Sequence, residues 1–234
     1  AGDPEYWDGT DWSAAAGSVS AFPAGGAWQI AVAVDALVSG GDGRPYDVPV
    51  QATDLAGNLE PTPAMSEFVF DTRIPVGGFT LGDGDPPYAN TQTVTIHCSV
   101  TAQTDLQMRF RRQGESFSDW VPYAATIPGF VLPVGSGPKT VYGEFKDTFD
   151  NVLATSDGIT LDFEAPTSAV GTFGAYGPLT WPGSISGTAS DSGPAGVGRV
   201  NVFVQQAELY WDGAAWQGTP VSLEVAVSGN AWSL

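Results

Sequence analysis

Apolar and polar side chains alternate with a period of two through most of this chain. In TVTIHCSV (93–100), Val94, Ile96, Cys98 and Val100 fall on one face and Thr93, Thr95, His97 and Ser99 on the other. Met108 and Phe110 alternate with Arg109 and Arg111; Val200, Val202 and Val204 share a face, as do Val48, Val50 and Ala52. That period predicts half-buried strands of antiparallel sheets, because successive strand side chains point to opposite sides. Turn signals separate the runs: GDG at 82–84, GSG at 135–137 and DSG at 191–193. No window carries a convincing amphipathic-helix pattern. The alanine-rich AAAGSVSA (14–21), broken by Gly17 and Val19, reads as loop or edge strand. Many short strands with frequent turns predict an all-β chain of β-sandwiches.

The sequence also repeats itself. EYWDGTDW (5–12) returns as LYWDGAAW (209–216), and AWQI (27–30) as AWSL (231–234), both at an offset of 204 residues. VPVQATDLAGNLE (48–60) aligns with VYGEFKDTFDNVL (141–153) at an offset of 93, matching Asp54 to Asp147 and Asn58 to Asn151. FVFDTRIP (68–75) aligns with ITLDFEAP (159–166) at an offset of 91, so a two-residue insertion separates the two blocks. Phe110 lies over Val202 at an offset of 92. The implied unit ends on Asp-x-x-x-Pro. On this reading 1–75 is the back part of a unit, 76–165 a complete unit, and 166–234 a front and middle part. The chain then reads as cut within a unit at both ends.

Composition narrows the function classes. The 234 residues include 8 Trp, 12 Phe and 7 Tyr, and 42% are hydrophobic, enough to build packed cores. No apolar run is long enough to span a membrane, so direct membrane insertion is not expected. The sequence opens at Ala1 with no charged n-region and no apolar h-region, so either a removed signal peptide or a piece of a longer protein is expected. The formal charge of −18 disfavours a nucleic-acid partner and leaves a solvated acidic surface as the plain reading. Cys98 is the single cysteine, so no internal disulfide exists.

The middle unit carries YANTQTVTI, then QMRFRRQGESFSDWVPYAA, then GPKTVYGEFKDTFDNV, then LDFEAP. In that order these segments resemble a bacterial immunoglobulin-like (Big-type) tandem repeat of secreted and surface proteins. The outer units resemble a related type in which a YWDG-x-x-W hairpin precedes V-x-A-T-D-x-A-G-N. Three departures stand out: Asp150 replaces the glycine of D-x-A-G-N, DFEAP and DTRIP replace D-T-T-A-P, and an arginine-rich RFRRQG (109–114) replaces a neutral hairpin. The resemblance implies tandem immunoglobulin-like β-sandwich modules, one complete and two partial, used outside the cell as stalk, spacer or adhesive surface, without catalysis.

Candidate chemistry is sparse. His97 and Cys98 are adjacent on a strand and face opposite ways, so they form no dyad; Cys98 belongs to the core. No nucleophile elbow, phosphate loop or zinc signature occurs. Calcium is the candidate ion, with oxygens from Asp54, Asn58, Asp147, Asp150 and Asn151 in turns, Asp71 and Asp162 at unit junctions, and Asp191 before a strand. The competing reading is that these Asp and Asn side chains cap their own turns. Trp7/Trp12 and Trp211/Trp216 flank DG, a type I′ hairpin signal, and the rings are expected to pair on one face, where they either stack on surface glycans or cover a sandwich edge.

Three functions follow. The first is a non-catalytic structural or adhesive segment of a secreted surface, stalk or filament protein, its partners being neighbouring modules. The second is an accessory binding module of a secreted hydrolase, with Trp faces or Arg109, Arg111 and Arg112 touching polymer. The third is a head-to-tail filament subunit completed by strand exchange between copies, against which stands the overlap of 5–30 with 209–234.

Overall fold

The computed structural model describes residues 5–21, 26–83 and 87–234. Gly84 of the predicted GDG turn lies outside them. The expected all-β character is present throughout, with one helix among the described residues.

In 1–75, β1 (Tyr6–Trp7) pairs with β2 (Trp12–Ser13), and after the helix α1 (Val34–Gly41) come β3 (Arg44–Val50) and β4 (Ala64–Phe70), a long antiparallel hairpin. The alanine-rich 14–21 is loop. Helix α1 departs from the expectation. Eight residues are too few to hold a helix in isolation, and here tertiary bonds hold it. Trp12 Nε1 donates to Ala36 O at 2.6 Å and the Tyr46 hydroxyl donates to Leu37 O. The paired glycines of VDALVSGG end it.

The middle segment is a two-sheet sandwich. Its strands are β5 (Val76–Leu81), β6 (Tyr88–Ala89), β7 (Thr93–Thr101), β8 (Gln107–Arg112), β9 (Val121–Pro122), β10 (Thr126–Val131), β11 (Gly137–Lys146) and β12 (Val152–Leu161). One sheet has the order β10-β7-β5, the other β6-β12-β11-β8-β9. In immunoglobulin lettering these are strands E-B-A facing A′-G-F-C-C′. The alternation seen in the sequence becomes the core: Val94, Ile96, Cys98 and Val100 from β7 meet Met108 and Phe110 from β8 and Val141 and Phe145 from β11. Phe79, Phe110 and Phe145 pack edge-on or tilted against one another. Gly143 makes this possible, because a Cβ there would lie 2.7 Å from Phe79 and 2.9 Å from Phe110. Burial pushes the Cys98 thiol up to about 11, which suits an inert core residue. His97 faces the other way, 2.6 Å from Asp83.

The last segment contains β13 (Thr167–Val170), β14 (Ser186–Ser190), β15 (Val200–Val202), β16 (Gln205–Gln206), β17 (Leu209–Trp211), β18 (Trp216–Gln217), β19 (Leu223–Val225), β20 (Val227–Ser228) and β21 (Ala231–Ser233). The order β13-β14-β21-β20 forms one sheet; β15-β19 and β16-β17-β18 form two smaller ones. Its core is small, built of Ala189, Val200, Val202, Val225 and Trp232.

Candidate functional sites at the junctions and the tryptophan hairpins

The D-x-x-x-N turns follow one plan in both copies. Asp54 Oδ1 accepts from the N–H groups of Ala56 and Asn58 at 2.9 and 2.8 Å, and its Oδ2 accepts from Asn58 Nδ2 at 2.7 Å. Asp147 Oδ1 accepts from Phe149 and Asn151 N–H at 2.9 and 3.0 Å, and its Oδ2 from Asn151 Nδ2 at 3.0 Å. These bonds hold the Asp54 carboxyl below its usual range, the Asn58 side chain contributing most. The fourth position of the turn is left-handed in both: Gly57 at φ 89° and Asp150 at φ 62°. Asp tolerates that region better than most side chains, and Lys146 Nζ meets its carboxylate at 2.7 Å.

The junction residues Asp71 and Asp162 also repeat one another. Each accepts at Oδ1 from the N–H two residues on: Arg73 at 2.9 Å and Glu164 at 3.1 Å. Around the first junction, Thr72 donates through N–H and hydroxyl to Asp42 at 2.7 Å each, from the 1–75 side. From the other side Asn151 Nδ2 donates to Asp71 O at 3.0 Å. Arg73 pairs with Asp71 at 2.7 Å, and this bond holds the Asp71 carboxyl down. Around the second junction, Phe163 N–H reaches Ser136 Oγ at 3.3 Å, and Ala195 N–H reaches Asp162 Oδ2 at 2.7 Å. Ala195 lies in loop 191–196, which Asp191 shapes by accepting from Gly193 N–H. Asp162 is 7% exposed and its carboxyl is held low, chiefly by the Ala195 N–H.

Of the proposed calcium ligands, the structure thus brings Asp71, Asp147 and Asn151 together at one junction. It leaves Asp54 and Asn58 in their own turn, Asp150 on an exposed lysine pair, and Asp162 with Asp191's loop at the other junction. The carboxylates among them accept from N–H donors, two of which are the Nδ2 groups of Asn58 and Asn151, the turn-capping arrangement. Among the described residues no three His, Cys, Asp or Glu side chains gather as a metal ion would require.

The two tryptophan hairpins share the same strand register and the same capping aspartate. Trp7 pairs with Trp12 and Trp211 with Trp216 in register, their rings 5.6 and 5.7 Å apart. Asp8 Oδ1 accepts from Thr10 and Asp11 N–H, and Asp212 Oδ1 from Ala214 and Ala215 N–H. The expected type I′ turn centred on Asp-Gly does not form. It needs positive φ at both central residues, and only Gly9 (104°) and Gly213 (102°) have it. The aspartate instead opens a four-residue loop, where its carboxylate can collect the next N–H groups. Trp12 is packed between Trp7 and Tyr46 rather than presented as an open platform, whereas Trp216 is 43% exposed.

The arginines are engaged locally. Arg109 lies over Phe117 and Trp120 and bonds Glu144 at 2.7 Å; Arg111 lies 3.9 Å over Tyr142; Arg112 bonds Glu115 at 2.7 Å. They pin loop 113–120 to the outer face of β8 and β11. Sequence reasoning missed Asp42, Ser136 and Ala195, whose partners lie 27 to 33 positions away, and Gly193, whose Cα packs against Asp162. Only the DSG turn pointed at one of them, and it gave a turn and no partner.

No protein-family model matches the chain, and no curated protein matches it. Among solved structures it is similar to a tetra-tandem repeat in the extending region of a large adhesion protein, at 17% identity and a TM-score of 0.31. The match covers 82% of this chain and 48% of that one, so this chain spans less than half the length of its neighbour. The architecture therefore rests on the strand order described above. Among the described residues no helix is long and apolar enough to cross a membrane.

Proposed function

We propose that this chain is a spacer segment of an extracellular adhesive or stalk protein, a row of sandwich modules whose linkers are tied to the modules on either side. The observation that carries this reading is the pair of junctions. A flexible tether would leave Asp71–Pro75 and Asp162–Pro166 solvated, since linkers of polar residues gain nothing from fixed geometry. Here each linker aspartate is almost buried, caps its own linker and is bonded by the module that follows. The first is bonded by the Asp147–Asn151 turn and the second by loop 191–196. The surplus of negative charge works in the same direction, because like-charged modules repel and extend.

Small-angle X-ray scattering tests it. The wild-type chain is expected to scatter as an extended particle with one dominant length. Asn151→Ala combined with Asp162→Ala releases both junctions and is expected to broaden the pair-distance distribution. A wild type indistinguishable from this variant would refute the rod.

A further inference from the structure

We propose that the end of β8 and loop 113–120 form a binding site for a single carboxylate carried on a sugar ring, an acidic residue of a glycan, with Arg111 as its principal donor. The site lies wholly within the middle sandwich, goes beyond the spacer role and does not depend on the junctions.

Cations are scarce in this chain, 8 against 26 acids, yet Arg109, Arg111 and Arg112 crowd the end of β8. Two of them are spent on neighbours. Arg109 Nε bonds Glu144 at 2.7 Å, and Arg112 Nε bonds Glu115 at 2.7 Å. Arg111 differs. The register sets it across from Tyr142. Its guanidinium carbon lies 3.9 Å from the centre of that ring and 5.1 Å from that of Phe117. Among the described residues the ion pairs of this patch belong to Arg109 and Arg112, and Arg111 has neither a carboxylate nor a carbonyl partner. An aromatic ring takes a guanidinium by its face. The N–H donors lie in the guanidinium plane, so stacking orients the fork without using it. That fork matches a carboxylate through two parallel bonds. A side chain already held in place also loses less freedom on binding.

The surroundings of the fork decide what carries the carboxylate. Arg111 and Arg112 line one surface cavity of about 420 Å³, within the size range of small-molecule sites. Ser116 offers it an exposed hydroxyl, while Phe117, Phe130 and Val131 give it an apolar wall. A pyranose presents hydroxyls at its rim and C–H groups on its faces, and so meets both. The loop is held in place without a ligand, because Ser118 N–H donates to Phe110 O at 3.0 Å and Glu115 N–H to Arg112 O at 3.1 Å. Glu115 also lines the cavity and neutralises Arg112, which leaves the charge of Arg111 uncompensated. One positive charge matches one carboxylate. A polyanion would bring a row of charges against a chain of net charge −18 and is repelled before it docks. That argues against nucleic acid, an anionic lipid surface and a run of Asp and Glu, and for a lone acid group on an otherwise neutral carrier.

Nuclear magnetic resonance titration of the isotope-labelled 234-residue chain tests this. The probes are methyl glucuronide, the methyl glycoside of N-acetylneuraminic acid, methyl glucoside as the neutral counterpart, acetate, and a short acidic peptide. Saturating shifts at Arg111 Nε–H and at the amides of 112–118 are expected for at least one acidic sugar at low salt, with a dissociation constant on the order of 1 mM. Which of the two sugars binds tighter identifies the source. The glucoside is expected to bind at least about tenfold more weakly, since a charged hydrogen-bond pair is lost. Arg111→Lys keeps the charge and loses the fork, and is expected to weaken binding by about tenfold or more. Ser116→Ala alters one exposed hydroxyl, leaves the fold intact and is expected to weaken it about 2- to 10-fold. The proposal is overturned if neither acidic sugar gives saturating shifts at these groups, or if the glucoside, acetate or the peptide binds as tightly as the sugars. It is equally overturned if Ser116→Ala and Arg111→Lys both leave the affinity unchanged. None of these results touches the rod, whose length is read separately by scattering.

Discussion

Gly193→Ala tests the second junction with one methyl group. A Cβ at this position would lie 2.0 Å from Asp162 Oδ1 and 2.4 Å from Oδ2. Carbon reaches ordinary contact at about 3.5 Å, so loop 191–196 has to recede by about 1.5 Å. The Ala195 N–H, now 2.7 Å from Oδ2, would then stand roughly 4 Å away, beyond hydrogen-bonding range. Overpacking of this kind costs about 1–3 kcal/mol, which corresponds to a roughly 5- to 150-fold increase in local opening. Amide hydrogen exchange at Ala195, followed by NMR at neutral pH, reads that opening directly. Gly198→Ala is the control, since a Cβ there meets nothing within 4 Å. Asp162→Ala supplies a second check: once the carboxylate is gone the methyl has room, so Gly193→Ala should add nothing further. If Gly193→Ala left Ala195 as protected as in the Gly198→Ala control, the junction would not be built as described.

Asp150→Ala is expected to destabilise the middle sandwich by about 1 kcal/mol, because the left-handed φ remains and the side chain's tolerance for it is lost; Asp150→Gly should not, and denaturant midpoints compare them. Asp54, Asp71 and Asp162 have carboxyls held below their usual range. Their contribution is therefore complete above the unfolded value of about 3.9 and lost as pH falls through the lower folded values. The melting temperature should hold steady through neutral pH and drop below about pH 4; a drop already complete near pH 6 would point to other groups. Millimolar calcium should leave the melting temperature unchanged, since the turn carboxylates already bond N–H groups; a rise of several degrees would place an ion among them. Trp232→Ala should destabilise residues 166–234 by about 3–5 kcal/mol, and Trp28→Ala, at the same place in the repeat, should cost far less, as denaturation of the two variants would show.

What was legible in the sequence was local. The period of two placed Val94, Ile96, Cys98 and Val100 inside because a strand's faces alternate whatever lies beyond them. The Asp54 and Asp147 turns were legible because their bonds close within four residues. Helix α1 was not, because the bonds that hold it come from Trp12 and Tyr46. The sequence offers Arg109, Arg111 and Arg112 as a polymer contact only within the accessory-module alternative, and it does not show what packs on them. The aromatic rings of Phe117, Trp120 and Tyr142 that do so come together only once β8, β11 and loop 113–120 are assembled. The clamps by Asp42 and loop 191–196 were invisible for the same reason, since their partners are set by topology.

Trp28 and Trp232 separate the two levels. They occupy the same place in AWQI and AWSL, 204 residues apart, with the same intrinsic preference for burial. Trp232 is 4% exposed and Trp28 is 48% exposed. The difference lies in what runs alongside. Beside Trp232 is β14, where Gly187 stands opposite the indole, so close that a Cβ there would come within 2.4 Å of the ring; Trp232 Nε1 donates to Thr188 O at 3.1 Å. Residues 28–30 belong to no strand. A repeated tetrapeptide therefore carries the capacity to be core, and the neighbouring strand decides whether it becomes core. The same holds for Val48 and Phe68 beside Val141 and Ile159. In both pairs the uncovered copy belongs to residues 1–75. The exposure of these apolar residues is therefore set by the strands that run beside them and not by their own sequence.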